Sequence, residues 1–186
     1  MKSLSPNAPQ VSEYASYYSR YISLVPDGDI VSLLTEQAER TAEALSGLSD
    51  REANFRCAPG KWTIKQVLGH LIDAERVLAY RALRIARNDK TPIEGFEQDD
   101  YVANGPASVS LAELVREFTA VRHATVLLFR HLEPAAWDRR GTANNNEVTV
   151  RATAYIIAGH ELHHRRILQE KYFSALGETG KAVGKS

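Results

Sequence analysis

The chain has 186 residues, 44% of them hydrophobic, which is enough for one domain with a sizeable core. Its 23 Lys and Arg residues balance 23 Asp and Glu residues, which argues against a dedicated nucleic-acid-binding protein. A single cysteine, Cys57, excludes an internal disulfide framework, and no apolar run suits a membrane span or a signal peptide. We therefore expect one soluble, cytoplasmic domain over residues 1–186.

Four stretches of the chain repeat apolar residues at helical spacing, and each starts at a residue that suits a helix N-cap. The stretches run from Asp29 to Leu48, from Thr63 to Arg87, from Ser110 to Pro134 and from Thr149 to Gly177. Two starts have capping-box spacing: Thr63 with Gln66, and Ser110 with Glu113. No alternation of apolar and polar residues indicates a strand. The pattern predicts an all-α four-helix bundle.

Two connections between these helices are unusually long, at residues 88–110 and 134–148. Such connections are often functional, so we expect them to shape a substrate pocket at one end of the bundle. Residues 1–26 are rich in tyrosine, and we expect this N-terminal segment to pack on the bundle in an ordered way. For the arginines of the second helix, at positions 76, 81, 84 and 87, we expect the acidic side chains of residues 94–100 as partners.

Three histidines give the sequence its main chemical signal. His160 and His164 lie four residues apart and therefore on one helix face, where two imidazoles can bind one metal ion. His70 lies on the second helix, and a third imidazole would leave a tetrahedral ion one open position, as in catalytic sites. This hypothesis requires the two helices to be neighbours. Spacing alone leaves His163 open as a ligand, because positions 160 and 163 also share a face.

His160, Glu161 and His164 also match the metalloprotease pattern His-Glu-x-x-His, in which the glutamate is the general base. The extended pattern has Gly where Ile167 stands, so we do not expect a protease. Glu161 stays open as a base or as a structural charge. Without a second Glu-x-x-His pair on another helix, a di-iron site is also disfavoured. Asp73, one turn after His70, could accept a hydrogen bond from the other nitrogen of that ring.

The remaining candidates have ordinary explanations. His123 and His131 lie eight residues apart without a partner, and we expect hydrogen-bonded surface or core residues. Cys57 has no adjacent histidine signal, which favours a small buried residue over a nucleophile. No glycine-rich phosphate loop, Gly-x-Ser-x-Gly elbow or Cys-x-x-Cys pair is present in the sequence.

Residues 17–30, 58–102 and 137–168 resemble the YfiT-like branch of the DinB-like superfamily, in Gly-Lys-Trp-Thr-Ile, Gly-His-Leu-Ile-Asp and Gly-His-Glu-x-His-His above all. The resemblance implies a four-helix bundle, a metal held by three histidines and, commonly, a homodimer. The family's ligands fall on His70, His160 and His164, which leaves His163 outside the ligand set. Characterised members are thiol-dependent transferases or isomerases that use bacillithiol, mycothiol or glutathione, and others are described as hydrolases.

We therefore expect a metal-dependent enzyme that transfers a low-molecular-weight thiol to an electrophilic small molecule. A free thiol has a pKa near 8.5, and a bound divalent ion would remove its proton. Zinc or nickel is the expected ion, although copper and iron also suit imidazole ligands. Two alternatives stay open: a hydrolase that uses metal-bound water, and a metal-binding stress protein without turnover.

Overall fold

The computed structural model describes residues 7–106 and 108–177 as a bundle of four long helices, which confirms the all-α prediction. The helices are α1 (Ser19–Ile22), α2 (Ile30–Ser46), α3 (Asp50–Ala53), α4 (Ile64–Ala86), α5 (Gln98–Ala103), α6 (Leu111–Arg130) and α7 (Val150–Ile167). Single 3-10 turns cover Val11–Glu13, Ser16–Tyr18 and Pro134–Ala136, and α7 continues as a π-helical segment over Leu168–Phe173. Within the described ranges, no helix is long and apolar enough to cross a bilayer. That residues 1–186 form one domain stays a prediction.

Each long helix begins where the sequence predicts, at a side chain that accepts a backbone N–H bond. The bonds run from Ser32 to Asp29, from Gln66 to Thr63, from Glu113 to Ser110 and from Ala152 to Thr149. The capping box of Thr63 and Gln66 is confirmed, because Gln66 also accepts from the Thr63 N–H at 2.9 Å. At Ser110 only half of the predicted box forms, since the Glu113 carboxylate pairs with Arg116 instead.

Around the bundle the long helices follow the order α2, α6, α4 and α7, so that α4 and α7 are neighbours. The short helix α1 packs on the outer side of α7, which is buried continuously over residues 152–161. Gly159 permits this approach, because a Cβ atom there would lie 2.1 Å from the Tyr21 carbonyl oxygen. From Glu13, which is buried against Thr149 and Arg151, the N-terminal segment is packed on the bundle as predicted, while residues 1–6 of the predicted segment lie outside the described residues.

A layer of polar side chains divides the apolar core of the bundle in two. One apolar cluster contains Leu34, Leu78, Phe129 and Ile156, and the other contains Leu45, Leu68, Phe118 and Leu168. Between the clusters, the long helices contribute the buried polar residues Gln37, Thr41, Glu75, Arg122 and Glu161. On α4 and α7, the three histidines stand close in sequence to the residues of this polar layer.

The connection before α7 contains a β-hairpin, so the prediction that the chain has no strand is wrong. Strands β1 (Arg140–Ala143) and β2 (Asn146–Thr149) pair antiparallel, with Gly141 opposite Val148. Asn144 and Asn145 form the turn at φ values of 49° and 59°, which asparagine tolerates better than most residues. The other long connection joins this hairpin, since the Ile93 N–H donates to the Thr142 carbonyl at 3.0 Å.

The arginines of α4 do not pair as predicted with the acidic side chains of residues 94–100. Arg76 pairs with Glu117 at 2.7 Å, and Arg84 pairs with Asp89 at 2.6 Å. Arg81 donates to the backbone carbonyl of Glu94 at 2.9 Å, not to a carboxylate. The prediction failed because neighbours on α6 and at the end of α4 are closer than the loop acids.

Candidate metal centre

The structure brings together the three histidines that the sequence singled out. The Nε2 atoms of His70 and His160 lie 3.0 Å apart. One ring nitrogen from each of His70, His160 and His164 lies within 4.8 Å of the other two. The arrangement follows from two features of the fold: the four-residue spacing on α7, and the neighbouring position of α4.

Burial keeps these imidazoles in the neutral form that can bind a metal. His70 is 3% exposed, and burial lowers its pKa to about 4 against a smaller opposite effect of Asp99. Burial, followed by the neighbouring histidines, lowers the pKa of His160 well below its ordinary value. Burial lowers the pKa of His164 to about 3. At neutral pH all three rings are therefore uncharged, and each has one unprotonated nitrogen that can bind a metal.

Aromatic residues hold two of the three rings from outside the cluster. The ring of Trp62, from the Gly-Lys-Trp-Thr-Ile segment, lies 4.9 Å from the His70 ring between centroids. The ring of Tyr21 in α1 lies edge-on to His160 at 5.3 Å. The N-terminal segment therefore forms part of the surroundings of the candidate site.

His163 and Asp73 lie next to the cluster but have other contacts. The half-buried ring of His163 packs on Tyr21 at 5.3 Å and on His164 at 5.2 Å. The Asp73 carboxylate lies 3.7 Å from the Arg76 guanidinium. A role for either residue around the metal stays a prediction.

Glu161 faces the polar layer inside the bundle. It is 1% exposed, its Oε1 atom accepts from the Thr41 hydroxyl at 2.6 Å, and its Oε2 atom lies 2.6 Å from Arg122. The Arg122 guanidinium also forms a two-pronged ion pair with Glu75, with N–O distances of 2.8 to 3.0 Å. Burial lowers the pKa of Arg122, but the charges of Glu161 and Glu75 outweigh this and leave it raised.

Three other residues from the sequence analysis lie away from the cluster. His123 and His131 are exposed on and after α6, in agreement with an ordinary surface role. Cys57 is partly exposed rather than buried, so that expectation is wrong, and the residue lines neither cavity beside His70. The short turn that carries Cys57 lies at the surface ahead of α4.

A cavity of about 330 Å³ adjoins His70 and His160, and both long connections contribute to its wall, as expected. That this cavity holds a substrate stays a prediction. Its walls come from α4, from α7, from the N-terminal segment and from both connections. Among the lining residues are Tyr18, Tyr21, His70, Arg81, Phe96, Asn144 and His160. A second cavity of about 160 Å³ lies on the other side of His70, against Gly69 and Asp73. The size of the larger cavity suits a small organic molecule.

Comparison with known proteins connects this geometry to one family. The sequence profile of the DinB superfamily matches residues 33–168. A protein of Oceanobacillus iheyensis that carries the name "Putative metal-dependent hydrolase" is 24% identical over 127 residues, which cover 67% of this chain and 73% of that protein. A protein of Geobacillus thermodenitrificans with the same designation is 28% identical over 100 residues, which cover 52% and 56% of the two chains.

Two solved structures share the fold. YfiT from Bacillus subtilis, described as a probable metal-dependent hydrolase with an unusual four-helix bundle topology, has a TM-score of 0.69 at 15% identity and covers 92% of this chain and 93% of its own. A mycothiol-dependent maleylpyruvate isomerase has a TM-score of 0.63 at 16% identity, covering 77% and 61%. At these identities the likeness establishes the bundle topology alone.

Proposed function

We propose that this chain, which belongs to the DinB superfamily, is a metal-dependent enzyme. The proposal is supported by the three neutral imidazoles that meet in its bundle. In this proposal His70, His160 and His164 hold one divalent ion beside a cavity for a small molecule. The reaction that we put first is the transfer of a low-molecular-weight thiol, such as bacillithiol, mycothiol or glutathione, to an electrophile. The observation that carries the proposal is the position of His70 and His160 in the wall of the 330 Å³ cavity.

The donor set fits a divalent ion. Two nitrogens bound to one tetrahedral zinc ion at about 2.1 Å lie about 3.4 Å apart. The His70 and His160 nitrogens are already 3.0 Å apart, and the full set lies within 4.8 Å, so adjustments of about 1 Å complete the geometry. Zinc and nickel both suit three imidazoles. Among the described residues the cluster contains no fourth His, Cys, Asp or Glu, which leaves a coordination position for another ligand.

An ion bound in this way lowers the pKa of a thiol or a water molecule in its open position. The protein's own contribution is to keep the three imidazoles neutral by burial, so that they bind without first losing protons. Tyr21 and Trp62 fix the orientations of the His160 and His70 rings and exclude water from their outer sides.

Within this proposal Glu161 is a positioning residue and not a base. Both of its carboxylate oxygens are engaged, one by Thr41 of α2 and one by Arg122 of α6. Because Glu161 follows His160 directly on α7, this pairing fixes the rotation of the helix that carries two of the three histidines. Glu161 also does not line the cavity where a reacting molecule would be held.

A hydrolase that uses water at the same open position is the second candidate, supported by the names of the two curated relatives. The thiol-transfer hypothesis is supported by the fold shared with the mycothiol-dependent isomerase. A metal-binding protein without turnover is less well supported, because such a role has no use for a cavity beside the histidines.

Turnover measured with and without a thiol tests the proposal. With the metal-loaded protein near pH 7, an aryl halide or an epoxide should be consumed only when a small thiol is supplied. The rate should fall when the metal is removed by a chelator, and it should return when the metal is restored. Cys57→Ser should leave the rate unchanged, since Cys57 lines neither cavity beside His70. Metal-dependent cleavage of an ester or amide without thiol would establish the hydrolase, and thiol transfer that survives removal of the metal would contradict the proposal.

A further inference from the structure

Arg81 is a buried cation in the wall of the 330 Å³ cavity that His70 and His160 also line. It lies eleven residues, or about three helical turns, after His70 and therefore on the same face of α4. The residue is 4% exposed. Its terminal nitrogen Nη2 donates to the Glu94 carbonyl at 2.9 Å, whereas its buried Nε atom has no hydrogen-bond partner among the described residues.

The contrast with Arg122 shows how unusual this environment is. Arg122 is also buried, but two carboxylates neutralise it within 3.0 Å. In the described part of the chain, no carboxylate lies within 4.0 Å of Arg81. The acids that share its cavities are Glu97, which is exposed, and Glu147, which pairs with Arg140. A buried charge without a counter-charge is costly in a folded protein, and a bound anion would remove that cost.

The shape of the cavity determines which anion fits. The side chains of a helix lean toward its N-terminus, so that Arg81 leans along α4 in the direction of His70. Between the two residues the wall is apolar at Ala74 and Leu78 and aromatic at Tyr18 and Phe96. A planar guanidinium suits a carboxylate, and the aromatic wall suits a flat apolar body.

We propose that Arg81 binds the carboxylate of a small organic acid whose reacting end lies at the three histidines. This assignment rests on the proposed function for the reaction itself, but anion binding at Arg81 does not require the metal. The carboxylate could belong to the electrophile or to the thiol. Arg81 is then the residue that selects acidic reactants and orients them along the cavity.

Binding of a matched pair of probes to metal-free protein tests this proposal separately from catalysis. Benzoate and benzamide have nearly the same shape but differ in charge. The metal is removed with a chelator so that benzoate cannot bind to a metal ion instead of to Arg81. In an NMR titration of the labelled full chain, benzoate should bind at least about tenfold more tightly than benzamide. Arg81→Met should abolish this difference, and Arg81→Lys should retain part of it.

The control is Arg84→Met. Like Arg81, Arg84 bonds to the connection after α4, at Asp89 and at the Thr91 carbonyl, but it does not line the cavity. This variant should bind benzoate as the unaltered protein does. Urea unfolding of each variant checks that the bundle is intact.

Equal affinity for benzoate and benzamide would overturn the proposal, and so would an equal loss in the Arg81 and Arg84 variants. Displacement of benzoate by a lower concentration of inorganic phosphate would make this a phosphate site and contradict the carboxylate assignment. Where turnover is observed, Arg81→Met should raise the KM of the acidic reactant alone, which identifies it as electrophile or thiol. Arg81-dependent benzoate binding in a protein that never binds metal would refute the proposed function and leave the anion site standing.

Discussion

Replacement of Gly159 by alanine tests whether close backbone packing holds the N-terminal segment against the histidines. The new Cβ atom would lie 2.1 Å from the Tyr21 carbonyl oxygen and 2.4 Å from its carbonyl carbon, against about 3.4 Å for an ordinary contact. Because the obstructing atoms are backbone, α1 has to move by about 1 Å. Such overpacking costs about 3 kcal/mol, and the better helix propensity of alanine offsets about 1 kcal/mol of it. We therefore expect Gly159→Ala to lose about 2 kcal/mol of stability.

The chain offers a matched control in Gly69, which also lies in a long helix directly before a candidate ligand, His70. A Cβ atom at Gly69 would meet nothing within 4 Å. Gly69→Ala should therefore gain about 1 kcal/mol from helix propensity, so that the two variants differ by about 3 kcal/mol.

Equilibrium urea unfolding followed by circular dichroism measures both variants against the unaltered protein. As a second readout, the NMR signals of the His160 and His163 rings should shift in Gly159→Ala, because both rings pack on Tyr21. Equal stability of the two alanine variants would refute the packing argument.

Three further predictions follow from the buried charges and the assembly. Arg122→Met leaves two buried carboxyl groups without their cation and should cost about 3–5 kcal/mol in urea unfolding, whereas Arg40→Met, which breaks an exposed pair, should cost less than about 1 kcal/mol. Burial raises the pKa of Glu13, but the bonds from Arg151 and its other donors outweigh burial and leave it lowered. The Glu13–Arg151 pair therefore stabilises the fold above the ordinary pKa of 4.5, and this stabilisation is lost as the pH falls below that value. The difference in free energy of unfolding between Glu13→Gln and the unaltered protein should therefore shrink in acid. A difference that stays constant with pH would contradict this assignment. We expect a two-fold symmetric dimer, so light scattering at micromolar concentration should give twice the chain mass of 20.7 kDa. A measured mass of 20.7 kDa would refute the dimer.

The sequence predicted the long helices well, because their caps and apolar stripes are local signals. The start of α4 at Thr63 needed only a capping box and a periodic run of apolar residues. The histidine cluster was also predictable in part, since the spacing of His160 and His164 fixes one face of α7. The third member, His70, was proposed on the condition that its helix lies beside α7. Nothing local to α4 reveals that neighbour, and only the family resemblance supported it.

The polar layer and the hairpin were missed for different reasons. Glu75 and Arg122 each stand on an apolar stripe, four residues after Leu71 and Phe118, and that interruption was a signal that we could have used. Their pairing depends on the packing of α4 against α6, which no local pattern encodes. The hairpin strands have four residues each, too few for alternation to be distinct, and only the adjacent asparagines at 144 and 145 marked the turn.

The metal content of the purified protein tests the central claim most directly. Elemental analysis of protein prepared without chelators should find about one divalent ion per chain. His70→Ala and His164→Ala should lose the ion, whereas His163→Ala and the exposed control His123→Ala should retain it. Equal metal content in all four variants, or loss in His163→Ala with retention in His164→Ala, would contradict the site described here.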